Sequence, residues 1–162
     1  MNKKIVIGII TLAFAILITI GIIIIKSNSN SLDETVPTRF ANTIEHLLSN
    51  NLIRQEEIRS KDELELDYEL DSIGEYEGVL IKNDDQGNYQ EIALIIPKEE
   101  STNDIVLLRM IKRYEAVKKE HSEIAYLREP KNIYIKQQNG VSIFVLSYNA
   151  KAIYEIVSNS KI

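Results

Sequence analysis

Apolar and polar positions change their spacing several times along the 162 residues, and each change marks an element. Residues 5–25 carry no charge, and their only polar side chains are Thr11 and Thr19. As a helix rising about 1.5 Å per residue, this stretch is roughly 31 Å long, which matches a hydrocarbon core of roughly 30 Å and predicts a membrane-spanning helix. Residues 26–36 then read KSNSNSLDETV, a Ser- and Asn-rich stretch whose side chains compete with backbone hydrogen bonds and which predicts a flexible tether.

Helical spacing begins after Pro37, a residue suited to a first helical position. Phe40, Ile44, Leu47 and Leu48 then fall on one face and predict a helix over 38–49. Residues 51–71 are ambiguous. Leu64, Leu66, Tyr68 and Leu70 alternate with Glu65, Asp67, Glu69 and Asp71, a period of two that argues for a strand. No β-branched residue occurs over 64–71, and Asp and Glu are poor strand formers, which favours a short helix or turn. Runs 76–82 and 89–96 flank a polar turn at 83–88 and predict a β-hairpin closed by Pro97. A long helix follows, capped by Ser101 or Asn103 and reaching about Glu120. Its inward stripe is Leu107, Met110, Ile111, Tyr114 and Val117, and its late lysines complement the helix dipole. A second hairpin joins 132–136 to 141–148 through Asn139-Gly140, the dipeptide of a type I′ turn. A last helix over 150–158 turns Ile153, Ile156 and Val157 inward.

The expected fold is α+β. After an N-terminal transmembrane helix comes a small two-layer domain, an antiparallel sheet of two β-hairpins with helices packed on one face. The expected organisation is a cytoplasmic stub at 1–4, the transmembrane helix at 5–25, the tether at 26–36 and one extracytoplasmic domain at 37–162.

Charge orients the anchor. Lys3 and Lys4 precede the apolar run and only Lys26 follows it closely, which favours a cytoplasmic N-terminus and an exported domain. A cleaved signal peptide has an apolar core of about 7–15 residues and a small-residue cleavage site; here the core is longer, and residues 23–27 (IIIKS) lack that site. The chain has no cysteine, so neither a disulfide nor a lipid-bearing cysteine is available to it. All 24 acidic residues lie beyond the apolar run, against 19 basic residues in the whole chain. This acidic balance disfavours nucleic acid, which demands clustered Lys and Arg, and disfavours lying flat on an anionic lipid surface.

Catalytic patterns are scarce. His46 and His121 are far apart in sequence and read as surface or boundary residues rather than a metal pair. No G-x-S-x-G elbow and no glycine-rich phosphate loop occurs. Asp84, Asp85 and Asn88 lack the spacing of a calcium loop. The densest charge is the run 62–77, with eight carboxylates and no basic residue. Such a run ordinarily forms a solvated face. The alternatives are a docking surface for a basic partner, a weak divalent-cation site, or paired carboxylates of the glycosidase kind. Tyr126, Tyr134 and Tyr148 are candidates to face outward. No catalytic, cofactor-binding or metal-ligating residue is assigned.

Glu91-Ile92-Ala93, Ile111-Lys112-Arg113, Tyr126-Leu127, Pro130, Gly140 and Phe144-Val145-Leu146 together resemble the bacterial family catalogued as domain of unknown function 4358, over roughly residues 75–157. The features that carry the likeness are the Glu91-Ile92 pair, Arg113, Tyr126 and Gly140. The chain departs from the family in having Val141 rather than an aromatic after Gly140, and a helix where many relatives have a lipid-bearing cysteine. The resemblance implies an exported, membrane-attached protein and no particular activity. Relatives tend to be encoded beside membrane acyltransferases, which implies an accessory role in modifying envelope polymers. The expected function is that of a single-pass, non-enzymatic binding or adaptor protein of a Gram-positive cell envelope. Its expected partners are the lipid bilayer and another envelope membrane protein or a wall polymer; the alternative is a carboxylate-based hydrolase or transferase of envelope polymers.

Overall fold

The computed structural model describes residues 35–85 and 87–162. The expected stub, the transmembrane helix and the tether up to residue 34 lie outside the described residues. Among the described residues no helix is long and apolar enough to cross a membrane. Val36, expected at the end of the tether, is already buried in the folded unit.

Eight principal elements follow in the order α1 (Thr38–Ser49), α2 (Lys61–Tyr68), β1 (Tyr76–Asp85), β2 (Asn88–Pro97), α3 (Asn103–Glu120), β3 (Ile133–Gln138), β4 (Val141–Leu146) and α4 (Ala150–Asn159). The strands form one antiparallel sheet in the order β1-β2-β4-β3. The α+β class, the antiparallel sheet and both hairpins are therefore as expected. The first hairpin is tighter than its polar loop suggests, with Asp85 pairing Asn88. The second turns on Asn139 at φ +52° and Gly140 at φ +79°, the two positive values a type I′ turn demands.

Packing of the helices corrects the sequence reading: they cover both faces of the sheet, so the domain has three layers. Leu80, Ala93, Phe144 and Ile135 align across the four strands and share a core with Leu64 and Tyr68 of α2 and Val106, Met110 and Val117 of α3. The alternate set, Ile81, Ile92 and Val145, points the other way. Buried Ile153 and Val157 of α4 and Phe40, Ile44 and Leu47 of α1 belong to that opposite side, where Tyr154 stacks on Tyr134 and Gln138 donates to the Ser158 carbonyl. The cause is visible in β4, all six residues of which are buried. A strand buried on both faces has to be covered on both faces.

The ambiguous segment becomes α2. Ser60 accepts a hydrogen bond from the Glu63 amide, capping the helix, and Leu64 and Tyr68 one turn apart enter the core while Leu66 is left in solvent. Before it, Ile58 bridges to Ile81 and shields part of the β1 edge. The stripe of α3 is also shifted from expectation. Val106, Met110 and Val117 are buried, whereas Ile111 is exposed, because the helix leans on α2 as well as on the sheet. Gly78 of β1 is where α2 comes closest, since a Cβ there would lie 2.6 Å from Leu64 Cδ2.

Candidate functional site

Two polar sites occupy the same end of the sheet, one on each face. They arise from neighbouring residues of β2. Glu91 points toward α2 and α3, and Gln90 points toward the α1 side.

Glu91 is fully buried. Its carboxylate accepts from Tyr68 Oη at 2.6 Å, from Tyr89 Oη, and from Arg113 Nε and Nη2 at 3.0 and 2.9 Å. Arg113 Nη2 also lies 3.2 Å from Asp67, which in turn meets Lys82 Nζ at 3.1 Å. Burial works against the Arg113 charge, but the hydrogen bonds and negative charge of Glu91 outweigh it and hold the guanidinium protonated beyond its ordinary range. Burial, followed by the Glu91 charge, pushes both the Tyr68 and the Tyr89 phenols well above their ordinary value. The His121 ring lies 4.4 Å from that of Tyr89, and Tyr126 Oη donates to the Tyr89 carbonyl. Three of the residues that carry the family resemblance, Glu91, Arg113 and Tyr126, thus meet in one cluster. Gly140 lies apart, in the second hairpin.

A cluster of this kind is saturated. Each Glu91 oxygen is engaged by a phenol and by Arg113, and Tyr89 Oη in turn accepts from Arg113 Nη2 at 3.2 Å. A small cleft of about 210 Å³ between α2 and α3 reaches Asp67 and Arg113, and the Lys112–Glu69 pair at 2.5 Å also lines it.

The second site is an open polar cleft of about 310 Å³ bounded by the segment after α1, the first hairpin and the end of β4. Its floor is tied down. Buried Glu57 accepts from the Arg54 amide at 3.0 Å, from Arg54 Nε at 2.8 Å and from Asn83 Nδ2 at 3.1 Å. Gln90 donates to the Leu52 carbonyl at 2.9 Å and accepts from Ser147 Oγ at 2.6 Å. Its rim is formed by Asn51, Asn88, Tyr148 and Asn149, all exposed, with Asp85 3.4 Å from Arg54 Nη2. None of those three asparagine amides, nor the Tyr148 hydroxyl, has a side-chain hydrogen bond to a described residue. The Tyr148 ring is 71% exposed and is braced edge-on by Tyr126 at 6.1 Å.

The two histidines do not converge. His46 is exposed on α1, while His121 is half-buried against Tyr89. Within the run 62–77, Asp67 takes Lys82 and Arg113, Glu69 takes Lys112, Glu75 takes Lys98, and Glu65 accepts from Tyr76 Oη, while Asp62, Glu65, Glu69 and Asp71 line one open cleft of about 450 Å³ beside exposed Leu66. Among the described residues no group of three or more His, Asp or Glu could hold a metal ion. Of the candidate outward tyrosines, Tyr148 does face solvent, whereas Tyr126 and Tyr134 are half-buried. Sequence reasoning missed the cleft. Its signal was the density of Asn and Gln at 51, 83, 88, 90 and 149, spread over three separate stretches of the chain. No family model matches the chain, and no curated protein or solved structure is significantly similar to it.

Proposed function

We propose that this chain is a binding protein of the cell envelope, anchored by residues 5–25 with its N-terminus in the cytoplasm and its domain outside the membrane. It works by holding another envelope component in the polar cleft and not by catalysis. The observation that carries this reading is the contrast between the cleft and the cluster. The groups best suited to acid–base chemistry are locked to one another under α3, whereas the open cleft presents uncommitted amides on a rigid, hydrogen-bonded floor. Preorganised polar groups on a concave surface are what orients a bound ligand. The alternative, a carboxylate hydrolase, would use the cleft lined by Asp62, Glu65, Glu69 and Asp71, where Glu65 and Glu69 are already engaged by Tyr76 and Lys112.

Site-specific photo-crosslinking in living cells tests this reading. A photoreactive residue at Asn88, on the cleft rim, is expected to trap a discrete envelope component, and one at Gln137, on the second hairpin, is not. Protease added outside cells stripped of their wall is expected to digest the domain. An intact domain after that treatment, or no adduct from Asn88, overturns the proposal.

A further inference from the structure

We infer that the polar cleft takes a neutral saccharide, one or two sugar rings of an envelope glycan, with Tyr148 as the surface on which a ring stacks. This rests on the binding-protein reading above and names the ligand class of that same site.

Four observations lead there. The first is the type of polar group at the rim. A sugar hydroxyl is at once a donor and an acceptor, and the Asn carboxamide, like that of Gln, offers both functions on one neutral plane. Asn51, Asn88 and Asn149 each present such an amide with no described side-chain partner. The second is the charge. Arg54 is the one cation among the residues lining the cleft, and it is already shared among Glu57, Asp85 and Glu56 at 2.8, 3.4 and 3.5 Å. No uncommitted cation remains to hold a phosphate or carboxylate ligand, so an anionic polymer is disfavoured. The third is the near absence of apolar lining. Leu52 and Ile53 are the aliphatic residues of the cleft, and Ile53 is buried, which leaves no pocket for a lipid chain or an apolar peptide side chain.

The fourth is Tyr148. An aromatic ring 71% exposed beside a cleft of amides offers the flat apolar face that matches the C–H face of a pyranose, while its hydroxyl stays available for hydrogen bonding. Tyr126 meets it edge-on with ring centroids 6.1 Å apart, a contact on one side of the ring only. At about 310 Å³ the cleft is at the small end of the roughly 300–1,000 Å³ range of ligand sites, which suits one or two rings and not a long oligomer.

The test uses the full chain in detergent micelles, with ¹⁵N in the Asn and Gln side chains, titrated with N,N′-diacetylchitobiose and with maltose. Saturable shifts are expected from the side-chain amides of Asn88 and Asn149 with at least one of the two disaccharides. Tyr148→Ala is expected to weaken that binding about tenfold, or about 1.4 kcal/mol, with an unchanged melting curve, and Tyr148→Phe to retain it. Three results overturn the assignment: no saturable shift with either sugar, binding indifferent to Tyr148→Ala, or stronger shifts of the same amides with inorganic phosphate. Failure here leaves the in-cell adduct from Asn88 to decide separately whether the cleft binds something of another class.

Discussion

Gln90 and Glu91 are consecutive residues of one strand, yet they serve opposite purposes. Glu91 enters a cluster in which two phenols and a guanidinium consume its carboxylate, and nothing is left over. Gln90 enters a cleft in which the inner groups are tied together so that the outer ones are held still and unspent. Both arrangements are polar, both sit at the same end of the sheet, and both contain an Arg–Glu pair at 2.8–2.9 Å. The difference is access. Arg113 has a side chain 9% exposed and Arg54 one that is 55% exposed. Polarity that is largely enclosed serves to position α2 and α3 over the sheet; polarity with one open side serves to meet a ligand.

The largest test of that contrast is Arg113→Met. It leaves Glu91 charged and uncompensated in the core, and removing one partner of such a pair costs about 3–5 kcal/mol. Urea denaturation of the variant should show a loss of that size. Adding Glu91→Leu to it should recover most of the loss, because the uncompensated charge then disappears along with the polar pair. A double variant as unstable as the single one would mean that the cluster contributes more than mutual neutralisation.

On the other face, Glu57→Ala removes the acceptor for the Arg54 amide, Arg54 Nε and Asn83 Nδ2. Asn83 is 8% exposed and would be left with an unpaired donor, at a cost of about 1–3 kcal/mol. Water can reach Arg54, so the loss should be smaller than that from Arg113→Met. An equal or greater loss would erase the distinction between an enclosed and an open site.

The smaller partners of Glu91 can be read through pH. Tyr68→Phe deletes one bond to a carboxylate that keeps Arg113, and should cost about 1 kcal/mol. Both buried phenols are raised above the unfolded value of about 10, so the unfolded chain releases their protons first. Their contribution is fully present below about pH 10 and is lost as pH rises beyond it. Denaturation at pH 9, 10 and 11 should therefore show alkaline destabilisation that is flatter in a Tyr68→Phe, Tyr89→Phe double variant. Identical slopes would mean that the phenols ionise as easily in the folded chain as in the unfolded one.

Most secondary elements were legible because their signals are local. Phe40, Ile44 and Leu47 mark one helical face, and Asn139-Gly140 marks one turn type. Layering was misjudged because the continuous apolar runs Ile92 to Ile96 and Val141 to Leu146, which hold few polar residues, are the mark of a sheet covered on both sides and not on one. Helix α2 was obscured because its period-two pattern is accidental. Leu66, which completes the pattern, is exposed, and Ser60, which caps the helix, is a stronger indicator than the alternation. The cluster was half legible. Glu91, Arg113 and Tyr126 stood out through family resemblance, but Tyr68 and Asp67 join them only by tertiary contact. The cleft was not legible at all, since Asn51, Asn88 and Asn149 come from three distant stretches of the chain that only the folded sheet brings together.

Tyr148→Ala is the smallest perturbation and the sharpest. The ring is 71% exposed, and its described ring partner is Tyr126, which keeps its own bond to the Tyr89 carbonyl. Truncation should change stability by less than about 0.5 kcal/mol, as for other surface positions. A residue placed for packing loses stability when truncated, and a residue placed for recognition loses only binding. If Tyr148→Ala lowers the urea midpoint as much as Tyr68→Phe does, Tyr148 belongs with the enclosed tyrosines, and the open cleft loses the one side chain that distinguishes it from an ordinary polar surface.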